Sequence, residues 1–315
     1  MGLFSNMGAA RSCAIGLDVG GTKIAGGLID SGSGLVLARR AIPTHAERGG
    51  AAVLDDALAL AASLRAEAER LALGVSGLGV GVAELVDREG NITSEHTIAW
   101  RGAPVRARFA QIAPATIEAD VRAHALAEAR YGAGRQYRLF AFVTVGTGIS
   151  CCLVQDGAPY AGARGNALVL ASSPLTTVCP ACGTLLRPVL EEFAAGPALV
   201  ARYNQDCSGH AERGEDVVAA AEAGDPGARQ VIESAGEALG VSVAWLINVL
   251  DPEALVVGGG LGLAGGAYWE RFVAATRAHI WAESTRDLPI LTAALGPDAG
   301  LIGAAAASVP AGDRQ

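Results

Sequence analysis

The stretch Ile15-Gly-Leu-Asp-Val-Gly-Gly-Thr-Lys23 constrains the fold more than any other part of the chain. Apolar and small residues lead into an acid, then two glycines, a hydroxyl and a lysine. The leading residues read as a buried strand. Gly20-Gly21 can turn sharply and let backbone N–H groups approach an anion, and Thr22 adds a hydroxyl donor. Apolar character resumes at once in Ile24-Ala-Gly-Gly-Leu-Ile29, so the pattern is a hairpin with no helix behind the glycines. That order argues against a Rossmann nucleotide loop and a P-loop, which both need strand, glycine loop and helix. An acid ending a buried strand beside a phosphate-sized turn suits Mg²⁺ reached through water and phosphate oxygens. The same residues could also make an ordinary Gly-Gly hairpin with an exposed aspartate.

A chain of 315 residues is long for one core and fits two domains. Hydrophobic residues make up 51% and charged residues 18%, a globular balance. No apolar run approaches the ~18 residues of a membrane span, which argues against a membrane partner. Residues 1–11 lack the apolar core of a signal peptide and read as a disordered tail. A net charge of −8 without a basic run argues against a nucleic-acid partner. Six cysteines without a secretion signal point to reduced thiols and a cytoplasmic protein.

Further along, Leu35–Ala38 reads as a strand, Ala51–Leu73 as an amphipathic helix, and Leu78–Val82 as a short buried strand. Thr116–Glu118 ends another strand, and Asp120–Arg130 is a helix with an acid at its start, closed by Gly132 and Gly134. Phe140–Val145, the turn Gly146-Thr-Gly148, and Ile149–Gln155 then repeat the strand, glycine turn with threonine, strand order of residues 15–29. This implies an internal duplication in which each half offers a phosphate-binding hairpin. Helices follow at Leu190–Tyr203, Ala211–Ala223 and Pro226–Leu250. Ala254–Gly260 is a strand running into a glycine triplet, Pro289–Ala293 a short strand, and Gly300–Ala307 a small-residue helix.

With these turns in order, residues 14–307 resemble the ROK family of sugar kinases and repressors. The resemblance implies an α/β chain in the actin-like ATPase (ribonuclease H-like) fold, two lobes around a cleft. The N-terminal lobe would be residues 12–118, joined by the C-terminal helix 297–310, and the C-terminal lobe residues 119–296. Leu17–Lys23 matches the first phosphate motif, which implies nucleotide binding by Asp18, Gly20, Gly21, Thr22 and Lys23, with Asp18 on Mg²⁺ through water. Val145–Ile149 matches the second, implicating Gly146, Thr147 and Gly148. Val256–Gly262 matches the adenosine-side turn with Gly259 and Gly260. Glu118-Ala-Asp120 stands where the family has Glu-Asn-Asp, which makes Asp120 the catalytic base. An aspartate at a helix start is also an ordinary N-cap. His124 shares a helix face with it. Family repressors carry a DNA-binding segment ahead of the first motif, for which the residues before Asp18 leave no room, so the kinase branch is implied. ATP, Mg²⁺, a hexose-like acceptor and a homodimer are the corresponding expectations.

The departures fall on the acceptor side. Gly162–Gly165 matches the loop that opens the substrate-facing segment, but Val169 stands where a sugar-binding glutamate is expected and Ser172 where a histidine is. Arg164, Asn166, Glu191 and Glu84 remain as substrate contacts. Cys179 and Cys182 have the spacing of half a zinc site, and a closed site needs four ligands, so zinc is not expected to be held. The connecting loop would then be held by packing of Leu185, Leu186 and Val189. Cys151 and Cys152 read as small core residues. Loss of the acid and the zinc ligands also keeps open a non-catalytic sugar or nucleotide sensor with the same fold.

Overall fold

The computed structural model describes residues 12–178, 183–206 and 210–309. The chain divides into two compact units, one of residues 1–135, 159–167 and 297–315 and one of residues 136–158 and 168–296.

The first unit is built on the opening hairpin. Strands β1 (Ser12–Val19) and β2 (Lys23–Asp30) pair antiparallel, with Val19 opposite Ile24. β3 (Val36–Pro43) extends the sheet beyond β2. Helix α1 (Gly50–Arg70) buries Val53, Ala57, Leu60, Leu64 and Ala68, the spacing of one helical face. β4 (Gly74–Val82) and, after the short helix α2 (Val105–Phe109), β5 (Ala115–Ala119) complete the order β3-β2-β1-β4-β5, with β1, β4 and β5 parallel. Helix α3 (Asp120–Tyr131) stays with this unit and packs against the C-terminal helix Ala299–Ala307. β1 is buried on both faces: Ile15, Leu17 and Val19 join the core with α1, while Gly16 lies under the C-terminal helix. A Cβ at Gly16 would sit 1.9 Å from the Leu301 carbonyl oxygen and one at Gly79 1.7 Å from that of Ala304, so only glycine lets the helix lie directly on the sheet.

The second unit repeats the scheme. β6 (Leu139–Val145) and β7 (Ile149–Gln155) form an antiparallel hairpin, continued by the two-residue β8 (Ala158–Pro159). A two-stranded ribbon, β9 (Thr177–Val178) and β10 (Leu185–Leu186), precedes the helices. Of the three residues expected to pack here, Leu185 and Leu186 are exposed and Val189 is half-buried. The helices are α4 (Glu191–Ala194), α5 (Gly196–Asp206), α6 (Gly214–Glu222) and α7 (Pro226–Leu250). α7 starts on an Asp225 cap that accepts from the Gly227 and Ala228 amides. β11 (Ala254–Gly258), α8 (Gly266–His279), α9 (Glu283–Arg286) and β12 (Ile290–Thr292) finish it. The sheet order is β12-β11-β6-β7-β8, with β6, β11 and β12 parallel. β6 thus takes the place of β1, and β7, β8, β11 and β12 those of β2, β3, β4 and β5. Cys151 and Cys152 are buried in β7.

Candidate active site

In the first unit, the Gly20–Thr22 turn is held by a residue outside the motif. Fully buried Thr44 donates its hydroxyl to the Gly20 carbonyl at 2.6 Å and its amide to the Thr22 carbonyl at 3.1 Å. Thr22 and Lys23 are exposed, and Asp18 and Gly20 are half-buried. Asp18 faces the start of the C-terminal helix: a Cβ added at Gly300 would lie 2.5 Å from its Oδ2. The partial positive charge of a helix N-terminus favours a carboxylate there.

Asp120 opens α3 as its first helical residue, and Ala119 takes the cap position. The Asp120 carboxylate does not cap the helix; its Oδ1 accepts from the adjacent Val121 amide at 2.6 Å. Burial pushes its pKa up from 3.8 to about 6; His124 pulls it down, while negative Asp18 and Glu84 push it up. His124 donates Nδ1–H to the Asp120 carbonyl at 2.7 Å, since that carbonyl can only accept. These features define a half-buried carboxylate near neutral pKa, the condition for a general base.

Glu84 has a different occupation from the substrate contact anticipated for it. It is 6% exposed, and its two oxygens take four donors: the Ser94 hydroxyl and the His96 amide on one, the Thr97 and Ile98 amides on the other. Burial alone would raise its pKa, but the Ser94 hydroxyl and the Ile98, Thr97 and His96 amides outweigh this and hold it below the ordinary value. The carboxylate is the knot of the loop 94–98. A Cβ at Gly21 would meet the Thr97 methyl group at 2.7 Å, so this loop walls the phosphate-sized turn.

Arg164 and Asn166 are exposed on either side of buried Gly165. Gly165 has φ 83°, and a Cβ there would lie 2.1 Å from the Val86 carbonyl oxygen.

In the second unit, the Gly146 amide bonds the Gly148 carbonyl at 2.9 Å across the turn. The Gly146 carbonyl in turn accepts from the Gly196 amide at 2.9 Å, which sets the start of α5 behind the turn. Glu191 accepts from the Ile149 amide at 2.7 Å and packs on Gly148. The Val145 carbonyl collects the Leu261 and Gly262 amides at 3.0 and 3.1 Å, tying the glycine triplet to the end of β6. A cavity of about 800 Å³ opens here, lined by Gly146, Thr147, Gly196, Arg213, Gly260 and Leu261 among others. Pockets of roughly 300–1,000 Å³ suit nucleotide-sized ligands. Gly148 and Gly259 lie in its backing turns, whereas Arg213 carries no motif that marks it. Its only sequence signal is its place ahead of the Glu215-Asp216 start of α6, where it holds the cap position.

No group of three or more His, Cys, Asp or Glu among the described residues could hold a metal ion directly. Cys179 and Cys182 lie outside the described residues. Val169 and Ser172 are both exposed.

Two duplicated sheets, each with a glycine-turn hairpin, define an actin-like ATPase fold. The sequence matches the ROK family over residues 14–309, and the chain belongs to that family. It is 27% identical to a glucokinase of Streptomyces coelicolor, over 92% of this chain and 96% of that one. A ROK hexokinase from Thermus thermophilus superposes with a TM-score of 0.77 at 31% identity, covering 94% of this chain and 97% of that one. A ROK family glucokinase from Streptomyces griseus, solved with glucose and AMPPNP, gives 0.77 at 27% identity, covering 94% and 99%.

Proposed function

We propose that this chain is an ATP-dependent sugar kinase that phosphorylates a hydroxyl of a hexose or hexose-like substrate. The observation that carries the reading is Asp120: a carboxylate at the first turn of α3 that caps nothing and is held at a pKa of about 6. Phosphoryl transfer asks a protein for positioning, charge neutralisation and a base for the attacking hydroxyl. In this reading Asp120 accepts that proton. The Gly20–Thr22 turn with Lys23, and the Gly146–Gly148 turn, present N–H groups to the phosphates. Gly260, in the wall of the 800 Å³ cavity, lies against the adenosine with Gly259 next to it in the chain. Asp18, a half-buried carboxylate beside the turn, would hold Mg²⁺ through water. The metal, when bound, neutralises phosphate charge.

Arg164 and Asn166 contact the acceptor, and Glu191 offers a sugar hydroxyl the oxygen not spent on Ile149. Glu84 serves the site through the loop it ties. Val169 has no acceptor for a sugar hydroxyl, so a hydroxyl facing it forgoes a charge-assisted bond, which is roughly twice as strong as a neutral one. Glucose is therefore expected to be a poor substrate, with a modified hexose or cyclitol preferred. Steady-state kinetics with ATP across glucose, mannose, their amino and N-acyl forms and related polyols test both statements. Glucose outrunning the others at or above ~10⁴ M⁻¹s⁻¹ would sink the specificity claim. Nucleotide binding with no phosphorylated product from any of them would favour the sensor reading, which is motivated by Val169 in place of the expected acid.

A cytoplasmic location is in keeping with the buried thiols of Cys13 and Cys151. No helix among the described residues is long and apolar enough to cross a membrane. For the homodimer, the supporting surface is on α7, where exposed Val241, Trp245 and Val249 recur every fourth residue, together with Trp281 at 87% exposure. A stripe of this kind can pair with itself about a two-fold axis. Light scattering on the wild type and on Trp245→Glu tests it.

A further inference from the structure

Arg122 lies on α3, two residues beyond Asp120, and is only 6% exposed. Its guanidinium bonds three separate segments. Nε donates to Glu118 Oε1 at 2.5 Å at the end of β5. Nη2 donates to the Val86 carbonyl at 2.7 Å beyond β4, and Nη1 to the Gly165 carbonyl at 2.7 Å. Glu118 Oε1 also accepts the Ala119 amide at 2.8 Å, so the carboxylate is fixed in turn. A guanidinium presents its donors as a rigid planar fork, so partners on three sides leave it one orientation.

Gly165 is the one buried residue of the segment Gly162–Ala167; Arg164 and Asn166 beside it are exposed. The segment closes on itself through the Ala167 amide and the Ala161 carbonyl at 3.2 Å. Its anchor is therefore the Gly165 carbonyl, gripped by Arg122 against Val86.

We propose that Arg122 is a positioning residue that fixes the acceptor-binding segment 162–167 to the helix carrying the base Asp120. The statement rests on the sugar-kinase reading for what the segment binds, but the clamp itself stands on the geometry. Loss of the fork leaves Asp120 on its helix and releases Arg164 and Asn166. Acceptor recognition is then affected before nucleotide recognition, because the cavity attributed to nucleotide is lined wholly by residues of the second unit.

Arg122→Lys is the informative variant: it keeps the charge and cannot hold three partners in one plane. A cavity of about 330 Å³ borders Arg122 and Glu118 and leaves room for water beside a lysine, so the variant is expected to fold. Glu118→Gln weakens the same clamp from its other end. The experiment joins hydrogen exchange of peptides spanning 162–167 and 94–98 with steady-state kinetics on the best hexose of the panel. In both variants, exchange at 162–167 is expected to quicken by about tenfold or more while the Glu84-held loop 94–98 is unchanged. The hexose KM should rise about tenfold to a hundredfold, the ATP KM staying within about twofold. Unchanged exchange at 162–167 overturns the clamp whatever the activity. Quickened exchange with an unchanged hexose KM, or equal rises in both KM values, overturns the positioning role. A wild-type protein that phosphorylates no sugar overturns the kinase reading, and the positioning role with it, while exchange still decides whether the clamp exists.

Discussion

The two hairpins share a topology and differ in what surrounds their turns. The turn of β1 and β2 sits among carboxylates: Asp18 on the strand itself, Glu84 behind the walling loop, and Asp120, whose pKa both of them raise. The turn of β6 and β7 sits beside a roomy cavity and is backed by the start of α5, with one oxygen of Glu191 accepting the Ile149 amide. Duplication supplied the same anion-sized turn twice. In the proposed reading the neighbourhoods divide the tasks, proton and metal chemistry falling to the first turn and nucleotide shape to the second.

The largest effect expected of this contrast comes from filling the second turn. Gly146→Val should weaken AMPPNP binding by about a hundredfold or more by calorimetry, as several displaced N–H contacts at roughly 1.5–3 kcal/mol each would require. Hexose binding by the same protein should stay measurable. Equal loss of both ligands would mean that the turns are not separable.

At the first turn, Glu84→Gln should cost about 3–5 kcal/mol of stability, because an amide offers one acceptor where four donors converge. Chemical denaturation measures this. The wild-type pH dependence carries the same information. Glu84 is held below its ordinary pKa, so its contribution is present above the unfolded value of 4.5 and is lost as pH falls through the lower folded value. In Glu84→Gln that acid-side loss should shrink.

Asp120 has the opposite sign. Its folded pKa of about 6 lies above the unfolded 3.8, so folding favours its protonated form and stability from this group falls as pH rises between the two. Catalysis needs the ionised form, so kcat/KM should drop about tenfold per pH unit below pH 6. A profile flat down to pH 5 would contradict the assignment. The smallest effect belongs to Thr44→Val, which removes the hydroxyl bond to Gly20 and should cost about 1 kcal/mol and a few-fold in AMPPNP affinity.

What could be read from the sequence follows the same division. Both hairpins, the paired sheets and α7 announce themselves through apolar runs and glycine punctuation, which are local signals. Leu190–Tyr203 reads as one helix, but Ala195 is extended and breaks it, because the Gly196 amide turns to the Gly146 carbonyl. α8 escapes notice because its buried stripe starts with the large rings of Tyr268 and Phe272 and then thins to the small residues Ala275 and Thr276. At the site, Asp120 and the glycine turns are legible as motifs. The supports are not: Thr44 reaches back to Gly20, Glu84 ties residues 94–98, and Arg122 reaches Gly165. Each depends on partners 10 or more residues away, which no local pattern encodes.

Whether Asp120 is the base of a sugar kinase is decided by Asp120→Asn. The measurement is ATP-dependent formation of phosphosugar by wild type and variant on the best acceptor of the panel, with AMPPNP affinity measured in parallel. If Asp120 is the base, kcat falls by about 10²–10⁴ with nucleotide affinity within about twofold of wild type. Turnover by Asp120→Asn within about tenfold of wild type would contradict it.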